Sequence, residues 1–158
     1  MLFPKTQDVP EVIAIGGSAG AIRSLQYIIK DLPSDFIVPI LIAVHMSATH
    51  KSLLPKVLQR STQLPVYEVP PAHVLEKGIY VSDSTHYLNV IGGRVNAVNR
   101  PAEYGARAAV DCLFESVAEE YGRLCIGLLL GGSQRDGVTG LALIRARGGN
   151  NHRRSNVC

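Results

Sequence analysis

A serine, a histidine and an aspartate each follow an apolar run in this chain. Ser18 lies in Gly16-Gly17-Ser18-Ala19-Gly20, directly after "VIAI" (12–15). His45 stops "VPILIAV" (38–44), and Asp136 stands in "GGSQRDG" after "LCIGLLL" (124–130). If the runs are parallel strands, all three residues reach the carboxyl edge of one sheet, where open α/β sheets bind ligands. A hydroxyl, an imidazole and a carboxylate on one rim are the parts of nucleophilic acyl transfer. The imidazole takes the hydroxyl proton, and the carboxylate orients and stabilises the imidazolium.

Gly16-x-Ser18-x-Gly20 also matches the nucleophile-elbow pattern, in which a sharp strand-to-helix turn exposes the serine. A helix beginning there points backbone N–H groups, that of Ala19 first, at a developing oxyanion. Each residue has a plain structural use as well. Serine is a good N-cap, His45 could simply end a strand, and Asp136-Gly137 could be a turn or cap the last helix. Their joint placement is what favours catalysis.

Other glycine-loop chemistries fit poorly. Gly16, Gly17 and Gly20 miss the G-x-G-x-x-G spacing, and the loop lacks the Gly-Lys-Ser/Thr ending of a P-loop. His45 and His50 have no third ligand at a recognisable spacing, so no metal is expected. The order Ser…His…Asp differs from the Ser…Asp…His of α/β-hydrolases, which excludes a conventional lipase or esterase.

The elements that would carry these residues follow from periodicity. Ile22, Leu25, Ile28 and Ile29 recur at helical spacing between Gly20 and Lys30. A second helix is predicted over 51–60 with Leu53, Leu54, Val57 and Leu58 inward, and a short strand over Val66–Val69. "KGIYVSD" and "HYLNVIGGRVNAV" predict short strands around a Gly92-Gly93 hairpin. A helix is expected over 107–122 and a last one over 138–147. Non-alternating apolar strands separated by amphipathic helices indicate an α/β fold: a mainly parallel, doubly wound sheet with flanking helices. A small antiparallel hairpin insertion is expected near residues 78–98.

With 158 residues, 46% apolar and 18% charged, the chain fits one folded domain rather than a disordered segment. Its formal charge of +3 shrinks when Arg153 and Arg154 are set aside, so no nucleic-acid partner is expected. Cys112, Cys125 and Cys158 are odd in number and lack metal-ligand spacing, which suits a reducing cytoplasm. Neither a signal peptide nor a membrane-length apolar run is apparent, so a cytoplasmic location without membrane insertion is expected.

Three stretches, "IGGSAGA", "VHMSATHKSLL" and "LLGGSQRDGVTGL", resemble the serine, histidine and aspartate segments of CheB-type chemotaxis protein-glutamate methylesterases. "EKGIYVSDSTHYLNV" and "RAAVDCLFESVA" resemble the family's intervening hairpin and helix, so the likeness runs from about Val12 to Gly149. It implies hydrolysis of glutamate γ-methyl esters, and in some cases deamidation of glutamine, on the cytoplasmic domain of methylated chemoreceptors. Ser18 would be nucleophile, His45 base and Asp136 its partner, with no cofactor. The Ser133 N–H would serve the oxyanion although Gly131-Gly132-Ser133 replaces the family's Thr-Gly-Met. His86 resembles a histidine on a loop near the active site, with a minor role.

Gln134 and Arg135 are bulkier than expected beside Asp136, and no receiver domain precedes the catalytic part in this sequence. After residue 149 the family's final strand and helix give way to "NNHRRSNVC". Residues 1–149 are therefore expected to form a catalytic domain shortened at its C-terminus, followed by a disordered, polar, basic tail over 150–158. A missing strand would expose a sheet edge. The alternatives are a catalytically impaired remnant of the same fold serving as a binding module, and a hydrolase of another ester or amide.

Overall fold

A computed structural model describes residues 9–45, 53–69, 72–82, 86–99, 109–131 and 135–154, with His45 described through its backbone. The apolar run after Glu11 forms strand β1 (Val12–Ser18), followed by a 3-10 turn (Ala19–Ala21) and helix α1 (Ile22–Lys30). Then come β2 (Ile40–His45), α2 (Leu54–Gln59) and β3 (Val66–Glu68). Four short strands follow: β4 (His73–Val74), β5 (Ile79–Val81), β6 (His86–Ile91) and β7 (Arg94–Asn99). The chain continues through α3 (Ala109–Tyr121), β8 (Cys125–Leu130), α4 (Val138–Ala146) and β9 (Asn150–Arg154).

Six strands form a parallel sheet in the order β3-β5-β2-β1-β8-β9. Its central strands are apolar on both sides because both sides are covered. Val12 and Ala14 join Leu41, Ala43 and Tyr80 in a core closed by Val110, Leu113, Phe114 and Val117 of α3 and by Ile144 of α4. Ile15, Ile40, Ile42 and Ile79 face the other way, against Leu25 and Ile29 of α1 and Leu54 and Leu58 of α2. The doubly wound α/β architecture expected from the sequence is the one observed.

Three details differ from the expectation. Ile79–Val81 is a member of the main sheet, and the insertion is a three-stranded antiparallel sheet, β4-β7-β6. Periodicity alone could not divide strands this short between two sheets. Leu53, expected to point inward, is 63% exposed because helix α2 begins at Leu54 and leaves Leu53 at the N-cap.

The third correction concerns the end of the chain. Gly148 and Gly149 donate to the carbonyls of Arg145 and Ile144, closing α4, and Asn150–Arg154 then pairs in parallel with β8 as far as Leu130↔Arg154. The disordered tail expected from residue 150 is thus a strand over 150–154. All five of its residues are exposed, so it lacked the apolar signature of a strand. Backbone pairing at a sheet edge needs no apolar side chain. The rest of that tail, with Cys158, lies outside the described residues.

Cys125 is fully buried, donates its thiol to the Gly122 carbonyl at 3.1 Å, and is pushed by burial from an ordinary 9.0 up to about 11. The folded thiol keeps its proton after an unfolded one has lost it. Stability is therefore expected to fall between pH 9 and about 11, as unfolding comes to release that proton. Denaturant melts across that range, with and without Cys125→Ala, check this: the wild-type midpoint should drop more than the variant's.

Candidate active site

Ser18 closes β1 and pairs in register with His45, the last residue of β2, while Gly17 pairs with Leu130, the last of β8. The carboxyl ends of the three strands therefore meet. The chain leaves β1 for β2 on one side and reaches β8 on the other only later. This reversal of strand order is where open α/β sheets form a ligand crevice.

Ser18 has extended backbone angles (φ −90°, ψ 173°) and makes no side-chain capping hydrogen bond to the 3-10 turn that it precedes. Its hydroxyl is thus not spent on the capping role that its position invites. A β-carbon on Gly131, just past β8, would stand 3.4 Å from Ser18 Oγ, and one on Gly20 would stand 3.8 Å away. Glycines on two sides leave room for a substrate atom beside the hydroxyl. Ala19 opens the 3-10 turn and is exposed, and neither the turn nor α1 has an acidic residue in its first turn or a side-chain cap. Uncapped N–H groups at a helix start carry partial positive charge.

Asp136 is the buried charged residue of the rim, 7% exposed. Its Oδ2 accepts the Val110 N–H at 3.0 Å and its Oδ1 the Asp111 N–H at 2.9 Å. The carboxylate therefore caps α3, not its own helix α4, whose N-cap is Gly137 with φ 96°. In return, Asp111 Oδ1 accepts the Gly140 N–H of α4 at 2.7 Å. The two helix starts hold each other, and each carboxylate meets the positive end of the neighbouring helix.

Gly16 brings this pair of helices to the serine. A β-carbon there would overlap Val110 Cγ1, so the first turn of α3 rests on β1 two residues before Ser18. Gly16→Ala is expected to cost about 1–3 kcal/mol by overpacking. Thermal melts of Gly16→Ala, Val110→Ala and the double variant check this, since the second substitution should restore much of the loss if Val110 is the obstruction.

The other expected site residues fall as follows. His45 has its backbone beside Ser18, and its side chain lies outside the described residues, as do Ser133 and Gln134. His86 opens β6 opposite Asn99 instead of lying on a loop, and its carbonyl accepts Ser82 Oγ at 3.0 Å. Ser82 follows β5, the neighbour of β2, so His86 approaches the same edge of the sheet from the far side of β2. The sequence offered one unused signal for Asp111, an acidic residue near the start of an expected helix, which the structure places in the first turn of α3. Among the described residues no group of three or more His, Cys, Asp or Glu is placed to hold a metal. No described helix is long and apolar enough to cross a membrane.

Comparison with known proteins agrees with this fold. The family model described as CheB methylesterase matches residues 13–154. The chain belongs to the CheB methylesterase family. A curated relative from Trichodesmium erythraeum, named protein-glutamate methylesterase/protein-glutamine glutaminase, is 31% identical over 144 residues, covering 88% of this chain and 41% of its own length. A relative of similar name from Anaeromyxobacter dehalogenans is 34% identical over 140 residues, again covering 88% of this chain and 41% of that protein. The present chain thus spans about two fifths of the length of these curated relatives. The crystal structure of the Thermotoga maritima CheB methylesterase catalytic domain superposes with a TM-score of 0.80 at 28% identity. That match covers 91% of this chain and 79% of the Thermotoga one. The family model runs through β9 to residue 154, so residues 150–154 of the expected tail belong to the matched region.

Proposed function

We propose that this chain is a serine hydrolase that cleaves glutamate γ-methyl esters on a protein, and deamidates glutamine by the same route, in the cytoplasm. The reading rests foremost on Ser18: its hydroxyl does not cap the turn it precedes, and its backbone is in register with His45 at the strand-order reversal of a CheB methylesterase fold. Ser18 Oγ attacks the ester carbonyl while the His45 imidazole takes its proton. Asp136, held by two N–H groups at the start of α3, orients the imidazole and stabilises its cation. The N–H groups of Ala19 and Ser133 receive the oxyanion, and His86 has at most a supporting part at the rim.

The tetrahedral intermediate then collapses, and methanol leaves with the proton from His45. Water, deprotonated by His45, attacks the acyl-serine and releases the glutamate carboxylate and free Ser18. With a glutamine substrate, ammonia leaves in place of methanol. The relatives are named for protein glutamate methyl esters and protein glutamine. The cytoplasmic domain of a methylated chemoreceptor is the proposed substrate, following the resemblance of the sequence to chemotaxis methylesterases. The test is incubation of the chain with a methylated receptor fragment. Methanol in step with lost methyl groups is the expected result, and an unchanged substrate beside folded protein would refute the reading.

A further inference from the structure

α1 starts at the catalytic rim, through the 3-10 turn after Ser18, and carries its apolar stripe, Leu25 and Ile29, toward the sheet. Its opposite face presents Arg23, Tyr27 and Lys30 at helical spacing, all exposed. These three, with Gln26 and with Arg60 and Ser61 just after α2, line a groove of about 430 Å³. Gln26 Nε2 donates to Ser61 Oγ at 3.0 Å and ties its two walls together. Tyr27 is 65% exposed, with Lys30 Nζ 5.3 Å from its ring centroid. Among the described residues no carboxylate lines the groove, and none is paired with Arg23, Lys30 or Arg60.

We propose that this groove docks an acidic segment of the protein substrate, so that the segment's ester or amide reaches Ser18. The proposal rests on the hydrolase reading above, and the chemistry of that reading supplies the charge. Every turnover leaves a glutamate carboxylate, so a segment with several such sites grows more acidic as the enzyme works along it. Arg23 and Lys30 are seven residues apart, about 10 Å along a helix. That spacing suits carboxylates spread over successive turns of a partner better than one compact anion. Tyr27 between them gives the rigid, half-apolar contact common at binding hot spots. The row begins five residues past Ser18 and leads away from the rim, which would hold one part of the substrate while another is processed.

The test uses the full chain and a fluorescently labelled helical peptide bearing glutamates on one face. Its partners are the same peptide with glutamine at those positions and a short single-stranded DNA. The acidic peptide should bind more tightly than the neutral one, and added salt should weaken it. Arg23→Glu/Lys30→Glu should weaken it about tenfold or more, since reversal replaces attraction by repulsion. Arg23→Gln/Lys30→Gln should lie between, and thermal melts confirm that both variants fold. Equal binding of acidic and neutral peptides, indifference to the double reversal, or tighter binding of the DNA through the same residues would overturn the proposal. The two readings fail separately. Methanol release that ignores the reversal removes the docking site and leaves the hydrolase, whereas charge-dependent peptide binding without methanol release does the opposite.

Discussion

Ser18→Ala is expected to lower methanol release from a methylated receptor fragment by about 10⁴–10⁶-fold, a loss of the size seen when a serine hydrolase loses its nucleophile. Alanine keeps the extended backbone that ends β1, and the wild-type hydroxyl makes no side-chain cap on the following turn. Stability should therefore barely change, which separates this loss from one caused by misfolding. The residual rate reports what the oxyanion donors and substrate binding achieve without a nucleophile. A variant that retains wild-type turnover would return Ser18 to the role of a mere strand end.

Asp136→Asn should affect both rate and stability. Each carboxylate oxygen accepts one N–H at the start of α3, from Val110 and Asp111. An asparagine offers only one oxygen there and turns an NH₂ group toward the other donor. A cost of about 1–3 kcal/mol in unfolding free energy is expected for the buried group left unpaired. Turnover should fall further, by about 10⁴-fold, if the carboxylate also orients the His45 imidazole. Steady-state kinetics at a temperature where the variant is folded divides the two effects. A stability loss without a rate loss would make Asp136 only the cap of α3.

The positions of Ser18 and Asp136 were legible because each follows an apolar run closed by glycine, the signature of a buried parallel strand leaving the sheet. The sequence left open what each side chain does. Ser18 reads equally well as an N-cap, and only the structure shows that its hydroxyl does not cap the turn that follows. Asp136 reads as a cap for the helix that follows it, whereas it reaches a helix start more than twenty residues earlier in the chain. No local pattern encodes such a long-range contact. Gly16 was visible as part of a motif, yet its effect, admitting Val110 against β1, depends on where α3 lies. β9 escaped for a different reason: its polar residues carry no apolar period, and its pairing is with the backbone of β8.

The central claim is that Ser18 forms a covalent acyl bond to the substrate glutamyl group. Acid quenching of the enzyme with a methylated receptor peptide within a single turnover, followed by digestion and mass spectrometry, tests it most directly. The account predicts one adduct, the glutamyl peptide minus methanol joined to the peptide that contains Ser18, rising as methanol appears and decaying as free glutamate forms. Methanol released with the adduct on another residue, or no reaction by folded enzyme, would contradict it.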